Sequence, residues 1–274
     1  MSDAVANTLL IVVAIAYLGG AVLVVAALAK VMLAWWQGWR PRRVAEPVDQ
    51  ALQQRATAAM AAVAERANVA APATDVVSIL GTPTDDADHV VGDGGLAVTR
   101  FRAGHPVTVV FAQIALTGLS CAAVESLAAH ELAHVLRRDR TSTAARYAWV
   151  LGYLVLVLAG AGLTITAVVA APHLAGPAMV ATMSAAVALL GLRLTLDRRE
   201  EIAADLFAID LTRDLEAAAE LTRFYEDHVV RRLPAGVLDR AWARLERRWF
   251  ASYPEPQARL AAMHRHLASE ATDS

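Results

Sequence analysis

The sequence of 274 residues contains one cysteine, Cys121, so the chain cannot form an internal disulfide. Acidic and basic residues nearly balance, with a formal net charge of −2, and no general basicity indicates a nucleic-acid partner. The glycine-rich stretch at 92–95 lacks the lysine and the following helix of a phosphate-binding loop, and it predicts a tight turn. These absences exclude a disulfide scaffold and give no support to nucleic-acid or nucleotide binding.

Apolar residues are abundant instead. They make up 57% of the chain, above the roughly 45–50% of a soluble domain, and the mean hydropathy is +0.42. The excess lies in three blocks, 9–33, 147–171 and 175–196, and each reaches the roughly 20 residues that a helix needs to cross a bilayer. The sequence therefore predicts an integral membrane protein with about three transmembrane helices. A cleaved signal peptide is the alternative for the first block, but no basic region precedes it and its apolar run is too long.

Basic residues flank the three apolar blocks on one side only. The turn between the second and third blocks has no charged residue apart from His173, if that histidine is protonated. Because positively charged flanks stay in the cytoplasm, we predict a multi-pass protein of the cell membrane with the N-terminus outside and both 40–146 and the C-terminus inside. The flanking residues are Lys30, Arg40, Arg42, Arg43, Arg137, Arg138, Arg140, Arg146, Arg193, Arg198 and Arg199.

The remaining residues predict a mainly α fold with a small β-sheet. Apolar periodicity, turn residues and capping residues predict helices from Asp49 to Asn68, from an N-cap at Ser120 to Arg138, at 197–232 and at 236–268. Short β-rich runs predict three or four strands between Thr74 and Ile114. The last run, 107–114, is either an edge strand that receives an extended peptide or an interior core strand.

These elements predict four regions along the chain. Residues 1–43 form an N-terminal transmembrane anchor, and 147–196 form a transmembrane helical hairpin. The other two regions are the halves of one cytoplasmic domain, 44–146 with the sheet and 197–274 with the C-terminal helices. Together they are large enough to bury a core of their own.

Two histidines are spaced four residues apart in the predicted helix, in the motif HELAH at 130–134. On a helix, this spacing places His130 and His134 on one face, where both can bind one zinc ion. Glu131 points to the side of that face, where it can reach a water instead of the metal. The alternative is a chance match, with two polar histidines on a helix surface.

A third ligand is predicted after the third apolar block, where Glu201 and Asp205 again share one helical face. A glutamate completes the His₂Glu set of catalytic zinc sites, and an aspartate one turn later can accept the free N–H of a ligand histidine. Alone, this segment is more typical of a solvated, salt-bridged helix start. Two spans joined by a short turn return the chain to the membrane face that it left, so both motifs are predicted to meet at one zinc ion per chain.

The motifs resemble those of the HtpX-type membrane zinc endopeptidases, which include the CAAX prenyl endopeptidases. The resemblance covers about 51–263, and its marks are HELAHVLRRD at 130–139, EIAAD at 201–205 and YPEPQARLAAM at 253–263. It implies a zincin-like fold of the gluzincin type, zinc bound by His130, His134 and Glu201, Glu131 as catalytic base, and Asp205 supporting a ligand histidine. The implied activity is hydrolysis of peptide bonds in membrane or cytoplasmic polypeptides.

The oxyanion formed during hydrolysis needs a further donor, and two residues are candidates for it. Tyr253 stands where the family has histidine before proline, and its alternative is a packed turn residue. Arg259 follows on a predicted amphipathic helix, where an arginine is usually solvated. Two other functions remain open: a BlaR-type sensor peptidase with a regulatory role, and a non-catalytic membrane protein with a structural zinc site. The sequence does not determine the oligomeric state.

Overall fold

The computed structural model describes residues 49–78, 95–100, 106–137, 143–230 and 254–273. The chain divides into two compact units, one formed by 1–44 and 142–193, the other by 45–141 and 194–274. The first predicted span, 9–33, lies outside the described residues, as does the run at 89–91. Among the described residues the fold is mainly helical with a small sheet, which confirms the predicted class at that level.

The second unit begins with helix α1, Gln50–Arg66, and a three-stranded sheet formed by β1, β2 and β3. The strands are Ala73–Val77, Ala97–Arg100 and Thr108–Ala112. Strand β3 lies in the centre, parallel to β1 and antiparallel to β2. The prediction of an edge strand at 107–114 is therefore wrong, and the alternative of an interior strand is right. Four consecutive residues of β3 are buried, as expected for a strand covered on both faces.

Two helices follow β3 directly. Helix α2, Gln113–Gly118, begins where the sequence predicted the strand to continue, and helix α3, Cys121–Leu136, carries the HELAH motif. The side chain of Ser120 accepts a hydrogen bond from the backbone N–H of Ala123, and that of Asp49 caps α1 in the same way through Ala51. Both predicted helix starts are thus confirmed.

The core of the second unit lies between α1, α3 and the sheet. Side chains of α1 pack there with those of β3 and of the apolar face of α3, and the motif helix is therefore buried along most of its length. Burial of this much apolar surface fixes the rotation of α3 about its axis. The buried residues include Met60, Val63, Val109, Phe111, Leu116, Val124 and Leu132.

The described residues of the first unit lie in helix α4, Thr143–Ala170, and in the first part of helix α5, Pro172–Thr212. By length and composition, the segments Leu151–Ala170 and Pro172–Thr212 are apolar enough to cross a membrane. Many of their large apolar side chains are exposed. The two helices approach closely at Gly160, where an added Cβ would clash with Cγ2 of Thr182.

Helix α5 continues without a break into the second unit, which differs from the predicted separate helix at 197–232. It ends only where Arg213 adopts a left-handed conformation with φ of 53°. Asp214 then caps helix α6, Leu215–Tyr225, and a π-helix follows at Glu226–Val230. The final described helix, α7, Pro256–Asp273, begins after the predicted break at YPEP.

Candidate metal centre and active site

The two histidines of α3 converge on one point. Their Nε2 atoms lie 3.2 Å apart, and the rings meet edge to face with centroids 4.8 Å apart. Two nitrogen ligands at about 2.0–2.1 Å from a tetrahedral zinc ion would be separated by roughly 3.3 Å. The spacing of His130 and His134 therefore suits two ligands of one ion.

Glu201 approaches the same point from α5. Its Oε2 lies 3.4 Å from Nε2 of His130, and its Oε1 lies 3.7 Å from Nε2 of His134. Oε2 is buried, and within the described part of the chain it has no hydrogen-bond partner. A buried carboxylate oxygen without a partner is costly unless a cation binds it.

The three side chains form a donor set that fits zinc. Each offers one ligand atom, and these atoms lie within 4.8 Å of one another. Two imidazoles and a carboxylate match the composition of catalytic zinc sites, which keep a fourth position for water or substrate. The structure thus brings together the three residues that the two motifs separately predicted.

Behind the histidines, Asp205 and Arg259 form a buried pair. Oδ1 of Asp205 lies 2.9 Å from Nδ1 of His130, on the side of the ring away from Glu201. Arg259 donates to this carboxylate from Nε and from Nη2, both at 2.6 Å. The arginine is therefore not on a solvated helix face, and two of its nitrogen atoms are committed to Asp205.

The charges around His130 favour a positive charge at the ring. Burial lowers the pKa of His130, but contacts with Asp205 and Glu201 outweigh it and raise the pKa to about 10. Burial and the neighbouring His130 lower the pKa of His134. Surroundings that stabilise a proton on a buried imidazole also stabilise a bound cation, since both add positive charge among the same carboxylates.

Glu131 lies one residue beyond the first histidine and is 5% exposed. Its Oε2 accepts a hydrogen bond of 2.7 Å from Oγ1 of Thr99, which lies on β2. Thr99 was not among the residues predicted for the site. Its one signal in the sequence is a hydroxyl residue within the short apolar run 96–99, and that is common in strands.

Tyr225, at the end of α6, is a second residue near the site that was not predicted from the sequence. Burial raises the pKa of its phenol, the positive charge of Arg259 lowers it and the negative charge of Glu201 raises it further. It therefore lies within electrostatic range of the site. Tyr253, the predicted donor, lies outside the described residues.

Comparison with models of known sequence families identifies a family. The sequence model of Peptidase family M48 matches residues 95–267, a range that contains Thr99, the HELAH motif, Glu201, Asp205 and Arg259. No curated protein and no solved structure matched the chain. The resemblance seen in the motifs is confirmed at the level of this family, whereas the HtpX-type subfamily stays a prediction.

Proposed function

Because the chain belongs to peptidase family M48 and is thus a metallopeptidase, we propose that it is a zinc-dependent endopeptidase. The observation that carries the proposal is the convergence of His130, His134 and Glu201, whose buried Oε2 has no hydrogen-bond partner among the residues that the structure describes. We assign these three side chains as the ligands of one zinc ion. When bound, zinc supplies a Lewis acid that polarises a carbonyl group and acidifies water.

Glu131 is the general base of the proposed reaction. It accepts a proton from the attacking water and delivers that proton to the amine that leaves when the peptide bond breaks. Its carboxylate lies beside the two histidines without being a member of the ligand set, because adjacent helical residues point about 100° apart. The hydrogen bond from Thr99 to one carboxylate oxygen and the position of Glu131 next to His130 together orient the carboxylate toward the reacting centre.

Asp205 and Arg259 support a metal ligand in this proposal. An imidazole that binds a metal through Nε2 must carry its proton on Nδ1, and the carboxylate of Asp205 accepts a hydrogen bond from that N–H. The two bonds from Arg259 hold the carboxylate in place. A role of Arg259 or Tyr253 as donor to the oxyanion stays a prediction.

The open edge of β2 is the proposed binding surface for an extended peptide. Within the described residues, β2 pairs with β3 on one side and with no strand on the other. Main-chain pairing along such an edge recognises peptides of varied sequence. We therefore assign the peptide-binding surface to β2 and not to the run 107–114, for which it was predicted.

Membrane embedding of α4 and of the apolar part of α5 is also part of the proposal. Many large apolar side chains of these segments are exposed, whereas those of a core helix in a soluble protein would be buried. Arg193, Arg198 and Arg199 follow the apolar part of α5, and basic residues at one side favour a cytoplasmic active site. The proposed substrates are membrane or cytoplasmic polypeptides.

The test replaces Glu131 with glutamine in the full chain. Glu131→Gln keeps size but removes the proton-accepting charge, so we expect normal zinc content and unfolding temperature with proteolysis of a casein-like substrate reduced by at least about 10²-fold. Glu125→Gln is the matched control, since Glu125 lies on the same helix and pairs with Arg66 at the surface. Full proteolysis by Glu131→Gln would show that another residue is the base. A non-catalytic zinc protein would show no zinc-dependent proteolysis in any variant.

A further inference from the structure

Thr99 holds the carboxylate of the proposed base. Its Oγ1 lies 2.7 Å from Oε2 of Glu131 and 3.2 Å from the backbone oxygen of the same residue. Within the described residues, no other side chain donates a hydrogen bond to this carboxylate. The hydroxyl has one proton to donate, and the shorter distance to a charged acceptor assigns it to the carboxylate.

A glutamate carboxylate has little rotational preference of its own. The torsion that turns its two oxygens is broad and roughly two-fold, so a carboxylate without a partner samples many orientations. Threonine is β-branched and stiff at χ1, and Thr99 is further fixed by its place in β2. The strand therefore supplies a rigid donor that keeps one oxygen of Glu131 engaged and leaves the other to accept a proton.

The backbone of Thr99 faces the proposed peptide-binding edge. The N–H of Ala112 donates to the carbonyl of Leu96 at 2.9 Å, which makes these opposed residues a hydrogen-bonded pair. Such pairs alternate along an antiparallel ladder, so Val98 also turns its peptide groups toward β3. The peptide groups of Ala97 and Thr99 then point away from β3, toward the open edge.

We propose that Thr99 is a positioning residue that links the peptide-binding edge to the general base. Its backbone would pair with an extended substrate while its side chain orients Glu131, so the scissile bond and the base are placed by one residue. This inference rests on the proposed function, because it assumes that Glu131 is the base.

Three variants of the full chain test the role of the hydroxyl. Thr99→Val keeps the shape and the strand preference but removes the donor, and we expect kcat to fall roughly tenfold or more, the effect of losing a hydrogen bond to a charged group. The peptide groups remain in Thr99→Val, so KM and zinc content should stay near wild type. Thr99→Ser restores the donor and should recover most of kcat. Thr108→Val is the control, since Thr108 lies on β3 and its hydroxyl contacts only Pro106 among the described residues.

The double variant Thr99→Val with Glu131→Gln separates positioning from a general structural effect. If Thr99 acts through Glu131, its substitution causes no further loss once the base is gone. Wild-type kcat in Thr99→Val, or equal losses in Thr99→Val and Thr99→Ser, would overturn the inference. If Thr99→Val lowers the unfolding temperature, Thr99→Ala serves in the same comparison. Full activity of Glu131→Gln would instead refute the assignment of Glu131 as the base, and no zinc-dependent proteolysis in any variant would refute the proposed function, so the failures are distinguishable.

Discussion

Arg259 binds both carboxylate oxygens of Asp205, and Asp205 in turn contacts Nδ1 of His130. The arginine and the aspartate are largely buried, with 16% and 6% of their side chains exposed. A charged residue of the last described helix is thereby connected to the proposed zinc ligand through one intervening side chain. The pair orients the imidazole and balances a negative charge that would be costly alone.

Removing Arg259 should therefore weaken metal binding. We expect Arg259→Ala to lower zinc affinity by about 10–100-fold, the usual effect of losing a group that supports a ligand. Arg259→Lys keeps the charge but not the two parallel bonds, and it should show a smaller loss. Competition with a chelator measures the affinity of each variant. Wild-type affinity in Arg259→Ala would contradict the supporting role, and unaltered affinity with a loss of kcat would favour a donor to the oxyanion.

Zinc content should depend on His134 and not on a second cluster of side chains whose residue types could bind a metal. Asp210, His266 and Glu270 also lie within 4.8 Å of one another, but Arg213 pairs with Glu270. That guanidinium supplies the positive charge which a cation would otherwise provide. We expect one zinc per wild-type chain, a loss in His134→Ala, and unchanged zinc content in the control His266→Ala. Metal analysis of purified proteins decides this, and stoichiometric zinc in His134→Ala would refute the ligand assignment.

The orientation in the membrane is open to a direct test. Basic residues flank the apolar segments on one side, so the C-terminus should lie in the cytoplasm. A reporter that is active only in the cytoplasm should be active when it is fused after Ser274, and one that is active only outside should be silent. The reverse pattern would overturn the cytoplasmic placement of the active site.

The close approach of α4 and α5 should make Gly160 intolerant of a side chain. An added Cβ would lie 2.8 Å from Cβ of Thr182, which rotation of the threonine alone does not relieve. We expect Gly160→Ala to destabilise the protein by about 1–3 kcal/mol, as overpacking usually does. Gly162→Ala is the control, because nothing lies within 4 Å of its added Cβ. Thermal unfolding in detergent compares them, and equal unfolding temperatures would argue against a tight contact at Gly160.

Local features of the fold follow from the sequence because their causes are local. The spacing of His130 and His134 fixes their common face once a helix forms, and Asp49 and Ser120 mark helix starts through bonds to nearby backbone. The apolar runs at 147–171 and 175–196 likewise predict long helices by composition alone. The prediction that Glu201 joins the histidines needed one further premise. Two spans joined by a short turn return the chain to the membrane face that it left.

Tertiary structure decided the relationships between distant segments, because packing and strand order depend on many weak contacts at once. The apolar run at 108–112 suits an edge or a central strand, and pairing with β1 on one side and β2 on the other placed it in the centre. Helix α5 continues past its apolar part as far as Thr212. It ends there because Arg213 adopts a left-handed conformation. The sequence favours a solvated position for Arg259 on its helix. Only the fold brings Arg259 to Asp205. Thr99 gave no usable signal, because the residue that it contacts lies 32 positions away.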